Sequence, residues 1–235
     1  MGSRIADLLS SRGWTVGGFS RPSERWSAYR DAHPDFHLDD ADATDSGAVE
    51  EAIGSFVKKT GGLEAYIHAV GAVSLKPLHM IKDAEWETFL AQNLDSAFYA
   101  ARAALGPMRK QKGGSLVFFS SVAAEAGIAN HELVGAAKGG IAGLARSIAA
   151  TYASNGIRAN VIAPGLVETP ATKMLTSSEQ ARRISEKMHP LGRIGDPGEL
   201  ASLAAWLVSE DASWMTAQVL SLDGGMGSIV PKPRV

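Results

Sequence analysis

Four side chains in this sequence carry groups able to hold an oxygen atom or move a proton in one neighbourhood. Lys138 falls on the helical stripe of Val134, Ile141 and Ala145, where an ammonium is costly unless it reaches water or an acceptor. The spacing therefore predicts a lysine engaged in a polar bridge within apolar packing. Ser121 follows the apolar run 115–120 and sets a hydroxyl at the end of a strand. Asn93 shares one helical face with Trp86 and Phe89, so its amide is expected to be buried and to satisfy backbone groups there. His131 stands one helical turn before Val134. Imidazole is the side chain that ordinarily titrates near neutral pH, which makes this residue the candidate acid, against the plainer reading of an exposed histidine at a helix start. His68 ends a strand with no second histidine or carboxylate at ligand spacing, so no metal site is expected. The chain has no cysteine, which excludes thiolate nucleophiles, disulfides and cysteine-based zinc or iron–sulfur centres.

The elements that must position these groups are legible from apolar periodicity. A helix is expected around Ile5, Leu8 and Leu9 with Gly13 near its end, then a strand over 14–20, a polar proline-containing stretch over 21–35 and a weak strand at His37 and Leu38. Asp45 is a natural N-cap for a helix that places Val49, Ala52, Ile53, Phe56 and Val57 on one face. A strand over 65–70 precedes one long helix over 84–109, and a Gly113-Gly114 turn leads into the strand 115–120. Then come a helix over 133–153, a strand over 158–163 ending in Pro164-Gly165, and a polar helix over 177–188. A helix carrying Leu200, Leu203, Ala204 and Leu207 and a strand over 218–222 close the chain. Strands and helices alternating at this rhythm imply an α/β doubly wound parallel sheet with helices on both faces. With no repeat, linker or low-complexity tract, residues 1–235 read as one domain.

A net charge of −2 leaves no basic surplus for a phosphate backbone, so nucleic acid is not an expected partner. The longest uncharged stretch is the 12 residues 113–124, short of the roughly 20 apolar residues of a membrane span. The opening MGSRIADLLSSRG has no signal-peptide core, and a cytoplasmic location is expected.

Several segments together resemble the short-chain dehydrogenase/reductase family of Rossmann-type, nicotinamide-dependent enzymes. The likeness extends over nearly the whole chain. Asn93 in AQNLDSAF is similar to the family's helix asparagine, Ser121 in VFFSSVAA to its catalytic serine, and Lys138 in VGAAKGG to its catalytic lysine. NVIAPGLVETP, with Pro164 and Gly165, resembles the stretch beside the nicotinamide, and PLGRIGDPGELASLAAWLVSEDASWMTAQVLSLDGG resembles the C-terminal signature.

Two departures from the family pattern stand out. The family tyrosine, four residues before the lysine and thirteen after the serine, corresponds to Val134, which has no proton to transfer. None of Tyr29, Tyr66, Tyr99 and Tyr152 is spaced to replace it. The family's first strand and glycine-rich phosphate turn have no counterpart beyond Gly2, and its Asn-Asn-Ala-Gly turn survives only as Gly71 in His68-Ala69-Val70-Gly71. Arg21, after the second strand, reads as a surface charge. A sheet without that strand is expected to close up, or to have its edge covered by a loop or partner.

Taken with the resemblance, these departures imply a pseudoenzyme that is not catalytic by itself and binds no cofactor. Asn93, Ser121, Lys138, Gly2, Gly71, Pro164 and Gly165 are then remnants. The implied role is a structural subunit that assembles with a catalytic paralogue in a hetero-oligomer, a heterotetramer by preference, with NAD(P) held by the partner and the tail 224–235 reaching its pocket. Two other readings stay open. One is an active NAD(P)-dependent oxidoreductase with His131 or a water in place of tyrosine, and the other is a small-molecule sensor using the cleft at the strand ends.

Overall fold

The computed structural model describes residues 1–231. Six parallel strands appear: β1 (Gly17–Ser20), β2 (His37–Asp40), β3 (Ala65–His68), β4 (Gly114–Phe119), β5 (Ile157–Pro164) and β6 (Val219–Leu222). They form a two-stranded sheet, β1-β2, and a four-stranded sheet ordered β3-β4-β5-β6. The helices are α1 (Gly2–Ser11), α2 (Glu24–Ala32), α3 (Ser46–Thr60), α4 (Asp83–Leu90), α5 (Ser96–Gln111), α6 (Glu132–Tyr152), α7 (Glu179–Met188) and α8 (Pro197–Val208).

The period-2 alternation of β4 divides the core. Leu116 and Phe118 enter the cluster with Val49 and Ile53 of α3, Ala97, Ala100, Ala104 and Met108 of α5 and Ile141 of α6. Val117 and Phe119 enter the opposite cluster with Ile5 of α1 and Leu200, Ala204 and Leu207 of α8. A strand covered on both faces reads as a near-continuous apolar run, and β4 does so from Leu116 to Phe119; the buried Ser115 places its hydroxyl on Leu207 O at 3.1 Å. The alanine face of α5 lets α3 lie close against it. Asp45 caps α3 through the N–H groups of Gly47 and Ala48, and Gly61 ends it in the left-handed conformation at φ 89°.

Two elements differ from the sequence expectation. The stretch 21–35 contains α2, which buries none of its residues and so shows no apolar stripe. Ser23 caps it, and Trp26 Nε1 to Asp40 (2.8 Å) and Tyr29 Oη to Asp7 (2.7 Å) hold it in place. The long helix expected over 84–109 is interrupted by a π-helical turn at Ala91–Asp95.

The sheet does not close where the sequence led us to expect it. β1 pairs with β2 alone and β3 with β4 alone, and no loop among the described residues pairs with the free edges. The bonds His37 N–H to Val16 O and Ala41 N–H to Ser20 O place Gly18 and Ser20 toward β2, leaving Gly17 and Phe19 on the other edge. Ser115 N–H to Glu64 O likewise turns Tyr66 and His68 toward β4, leaving Ala65 and Ile67 on the free edge of β3. The two sheets are tied through their helices, because α3 packs on β1, β2 and α5, and α1 packs on α8. Closing the interval would require α3 to slide over the tightly packed alanines of α5.

Amide hydrogen exchange tests this edge. The N–H groups of Gly17, Phe19, Ala65 and Ile67 should exchange at least about tenfold faster than those of Gly18, Tyr66 and Val117, which donate within the ladders.

Candidate active site

The carboxyl ends of β3, β4 and β5 bring Gly71, Ser121 and Pro164-Gly165 to one end of the sheet, and α6 lays Lys138 across it. Asn93 lies in the π-helical turn and is fully buried. Its Nδ2 donates to Phe89 O at 3.0 Å, within the helix, while its Oδ1 accepts from Ala72 N–H at 3.2 Å. The wide turn thus aims an amide at the chain leaving β3, a use typical of π-turns near functional sites. Glycine at position 71 leaves room for this approach. A Cβ there would stand 2.8 Å from Asn93 Oδ1 and 3.1 Å from Lys138 Nζ, which also places the amide and the ammonium beside the same backbone atom.

Lys138 is 8% exposed and donates from Nζ to Phe119 O at 3.2 Å. Ser120 Oγ donates to the Lys138 carbonyl at 3.0 Å, fixing α6 to the end of β4 at this residue. No carboxylate pairs with the ammonium among the described residues, and burial pulls its pKa down to about 8. The polar bridge expected from the sequence is present, and it is an uncompensated cation.

Ser121 caps a short 3-10 turn, its Oγ accepting from Ala123 N–H at 3.2 Å. That bond fixes the oxygen and leaves its proton able to point into the cleft. Val134 packs among Phe89, Ala123, Leu133 and Ala137, so an apolar wall stands where the family tyrosine would be. His131 lies just before α6 with Nδ1 donating to Ala129 O at 2.8 Å, and its Nε2 has no partner among the described residues.

His68, weighed from the sequence only as a metal ligand, is buried here in a hydrogen-bonded chain. Ser96 Oγ donates to Gln92 O at 2.9 Å, so His68 Nε2–H must donate to Ser96 Oγ at 3.1 Å and Nδ1 accepts from Tyr66 Oη at 3.2 Å. Burial, and then the charge of Lys138, push its pKa down to about 3. Lys138 is thus the cation of this neighbourhood, and His68 is its neutral companion. Strand alternation, which puts residues 66 and 68 on one face, was the signal available for this pair.

At the adjoining end of α1, the first intrahelical donor is Ile5 N–H, leaving those of Gly2, Ser3 and Arg4 for another acceptor. This turn holds no acidic residue. The Met1 ammonium has its pKa lowered by burial first and then by Arg25 and Arg4. A Cβ on Gly2 would lie 3.7 Å from Ala69 Cβ, so this helix end adjoins the chain leaving β3. A helix N-terminus with two arginines and no acid suits an anion, and the residues present therefore fit the diphosphate of a dinucleotide lying along the strand ends.

A family profile described as enoyl-(acyl carrier protein) reductase matches residues 1–227. A 3-oxoacyl-[acyl-carrier-protein] reductase of Vibrio cholerae is 32% identical over 227 residues, 96% of this chain and 92% of that protein. An inactive 2-(S)-hydroxypropyl-CoM dehydrogenase 2 of Xanthobacter autotrophicus is 34% identical over 195 residues, 80% of this chain and 84% of that protein. A gluconate 5-dehydrogenase from Burkholderia cenocepacia, crystallised with NADP and tartrate, superposes with a TM-score of 0.89 at 28% identity, covering 97% of this chain and 91% of that one.

These likenesses correct two expectations. The reading as a non-catalytic subunit gives way to similarity over residues 1–227 with named reductases and dehydrogenases. The expectation that this chain binds no cofactor gives way to its likeness to a dehydrogenase of the same fold crystallised with NADP. Val134 and the missing glycine-rich turn are single features of a motif, whereas the chemistry available depends on the groups that tertiary packing places around them.

Lys138 offers a direct test through stability. Below pH 8 the folded state carries a buried ammonium that the unfolded chain carries in water. From about 8 up to the ordinary lysine value the unfolded chain binds the extra proton, so native stability rises with pH across that window. Lys138→Met should therefore be the more stable protein at pH 7, by up to about 3 kcal/mol, with the difference shrinking toward pH 10.5 in denaturant titrations.

Proposed function

This chain belongs to the short-chain dehydrogenase/reductase family, and on that premise we propose that it is an NAD(P)-dependent oxidoreductase interconverting a carbonyl and an alcohol, with Lys138 as the proton source in place of tyrosine. One observation carries this reading: a buried ammonium with no counter-ion among the described residues, at a pKa of about 8, beside the Ser121 end of β4. A general acid works best when its pKa lies near the operating pH.

Each residue has a part. The Ser121 hydroxyl donates to the substrate oxygen while its own oxygen stays fixed by Ala123 N–H. Lys138 passes its proton to that oxygen through one water along the wall of Val134, and in the reverse direction the neutral amine takes the alcohol proton. Asn93 keeps Gly71 and Ala72 against the lysine. Gly2, Ser3 and Arg4 N–H groups with the charges of Arg4 and Arg25 would hold the cofactor diphosphate, and Gly71 with Pro164-Gly165 would line its nicotinamide end. The nicotinamide, when bound, supplies the hydride in reduction and accepts it in oxidation. The acyl-carrier-protein reductases among the relatives make β-keto thioesters the first carbonyl compounds to assay.

The test is NADPH turnover on β-keto thioesters and keto acids across pH. Reduction should decline as pH rises through about 8 and oxidation should increase. Lys138→Ala should lower kcat about 10²-fold or more, whereas His131→Ala should leave it within about threefold. Val134→Tyr, which puts a phenol one turn from Lys138, should raise kcat by about 10²-fold. A Lys138→Ala variant with unchanged kcat and pH profile would sink the assignment.

A further inference from the structure

We propose that His189 is a positioning residue that latches α7 to the segment leaving β5, so that the helix and the Pro164-Gly165 side of the cleft are set as one unit. The inference rests on the oxidoreductase reading for its catalytic meaning and on geometry for the latch itself. α7 buries none of its residues. Its Ile184 and Met188 are exposed, as are Met174 before it and Leu191 after it. Among the described residues its ion pairs are solvent-facing, Arg182 to Glu168 being the one that leaves the helix, and such pairs hold an element weakly. Yet His189, the residue that ends this helix, is 3% exposed.

The ring is bonded on both sides. Nδ1 donates to Ser185 O in the last turn of α7 at 2.6 Å, and Nε2 accepts from Leu166 N–H at 3.0 Å. The two bonds require the proton on Nδ1 and a bare Nε2, so the tautomer is decided by the packing. Position 165 must be glycine for this contact: a Cβ there would lie 2.7 Å from His189 Nε2 and 3.0 Å from Asp223 Cα.

The same knot reaches the catalytic serine. Gly165 N–H donates to Leu222 O at 3.2 Å and Leu191 N–H to Gly224 O at 3.1 Å. The buried Asp223 carboxylate accepts from Gly225 and Gly227 N–H at 2.8 and 2.7 Å. A Cβ on Gly227 would stand 2.7 Å from Val122 Cγ2, next to Ser121. A shift of α7 is therefore transmitted, through the imidazole, to backbone lining both the Pro164-Gly165 side and the Ser121 side of the cleft.

The experiment pairs His189→Phe, which keeps a flat buried ring without the two bonds, with His189→Gln, whose amide is able to donate and accept. Amide exchange in the unliganded proteins reads the latch without any turnover. Steady-state kinetics with saturating NADPH read its consequence. Leu166 N–H should exchange about tenfold faster in His189→Phe. KM for the carbonyl compound should rise about tenfold with kcat changed less than about threefold, and His189→Gln should recover most of both. Unchanged Leu166 exchange, or faster exchange with unchanged KM in an active protein, would overturn the proposal. A wild-type protein that shows no turnover and does not bind NADPH would instead overturn the oxidoreductase reading and, with it, the catalytic meaning of the latch.

Discussion

Burial of β4 and β5 on both faces is the constraint from which the rest of the molecule follows. Leu116 and Phe118 look into one helical layer and Val117 and Phe119 into the other, so neither strand is able to tilt without opening a void in one of two cores. Their carboxyl ends are consequently fixed points. Phe119 O anchors the Lys138 ammonium, Ser120 anchors the Lys138 backbone, and Ser121 begins the next turn. The strand ends are held by a sheet packed on both sides, even though that sheet is interrupted between β1 and β3.

Around these fixed points, close approaches at glycine decide the chemistry. At Gly71 the absent Cβ lets Asn93 and Lys138 converge on the backbone, and at Gly165 it lets His189 reach Leu166. Each approach brings a buried polar side chain against main-chain groups instead of another side chain, which is how a site holds an uncompensated cation without disorder. The neutral His68, bonded between Tyr66 and Ser96, belongs to the same economy: its burial keeps it uncharged, and the charge remains on the lysine.

Val134 is the residue at which resemblance and local chemistry part. Judged as a motif position, a valine there argues against catalysis. In the folded protein it packs among Phe89, Ala123, Leu133 and Ala137, one helical turn from a lysine whose pKa burial pulls down to about 8. The chain's likeness over residues 1–227 to reductases and dehydrogenases agrees with the second view.

By itself the sequence determined the α/β alternation, the parallel doubly wound class, the cap of α3 at Asp45 and the strand ends that carry Ser121 and Pro164-Gly165. All of these follow from periodicity and from short-range signals that a few adjacent residues carry. It also placed Asn93 and Lys138 on buried helical faces. Tertiary structure alone decided the π-helical turn, the open interval between β1 and β3, the solvent-facing α2 and the bonds that settle the tautomers of His68 and His189. Those features depend on groups brought together from distant positions, such as 166 with 189 or 68 with 96. Their energies arise from desolvation and from hydrogen-bond partners that exist only once the layers have packed.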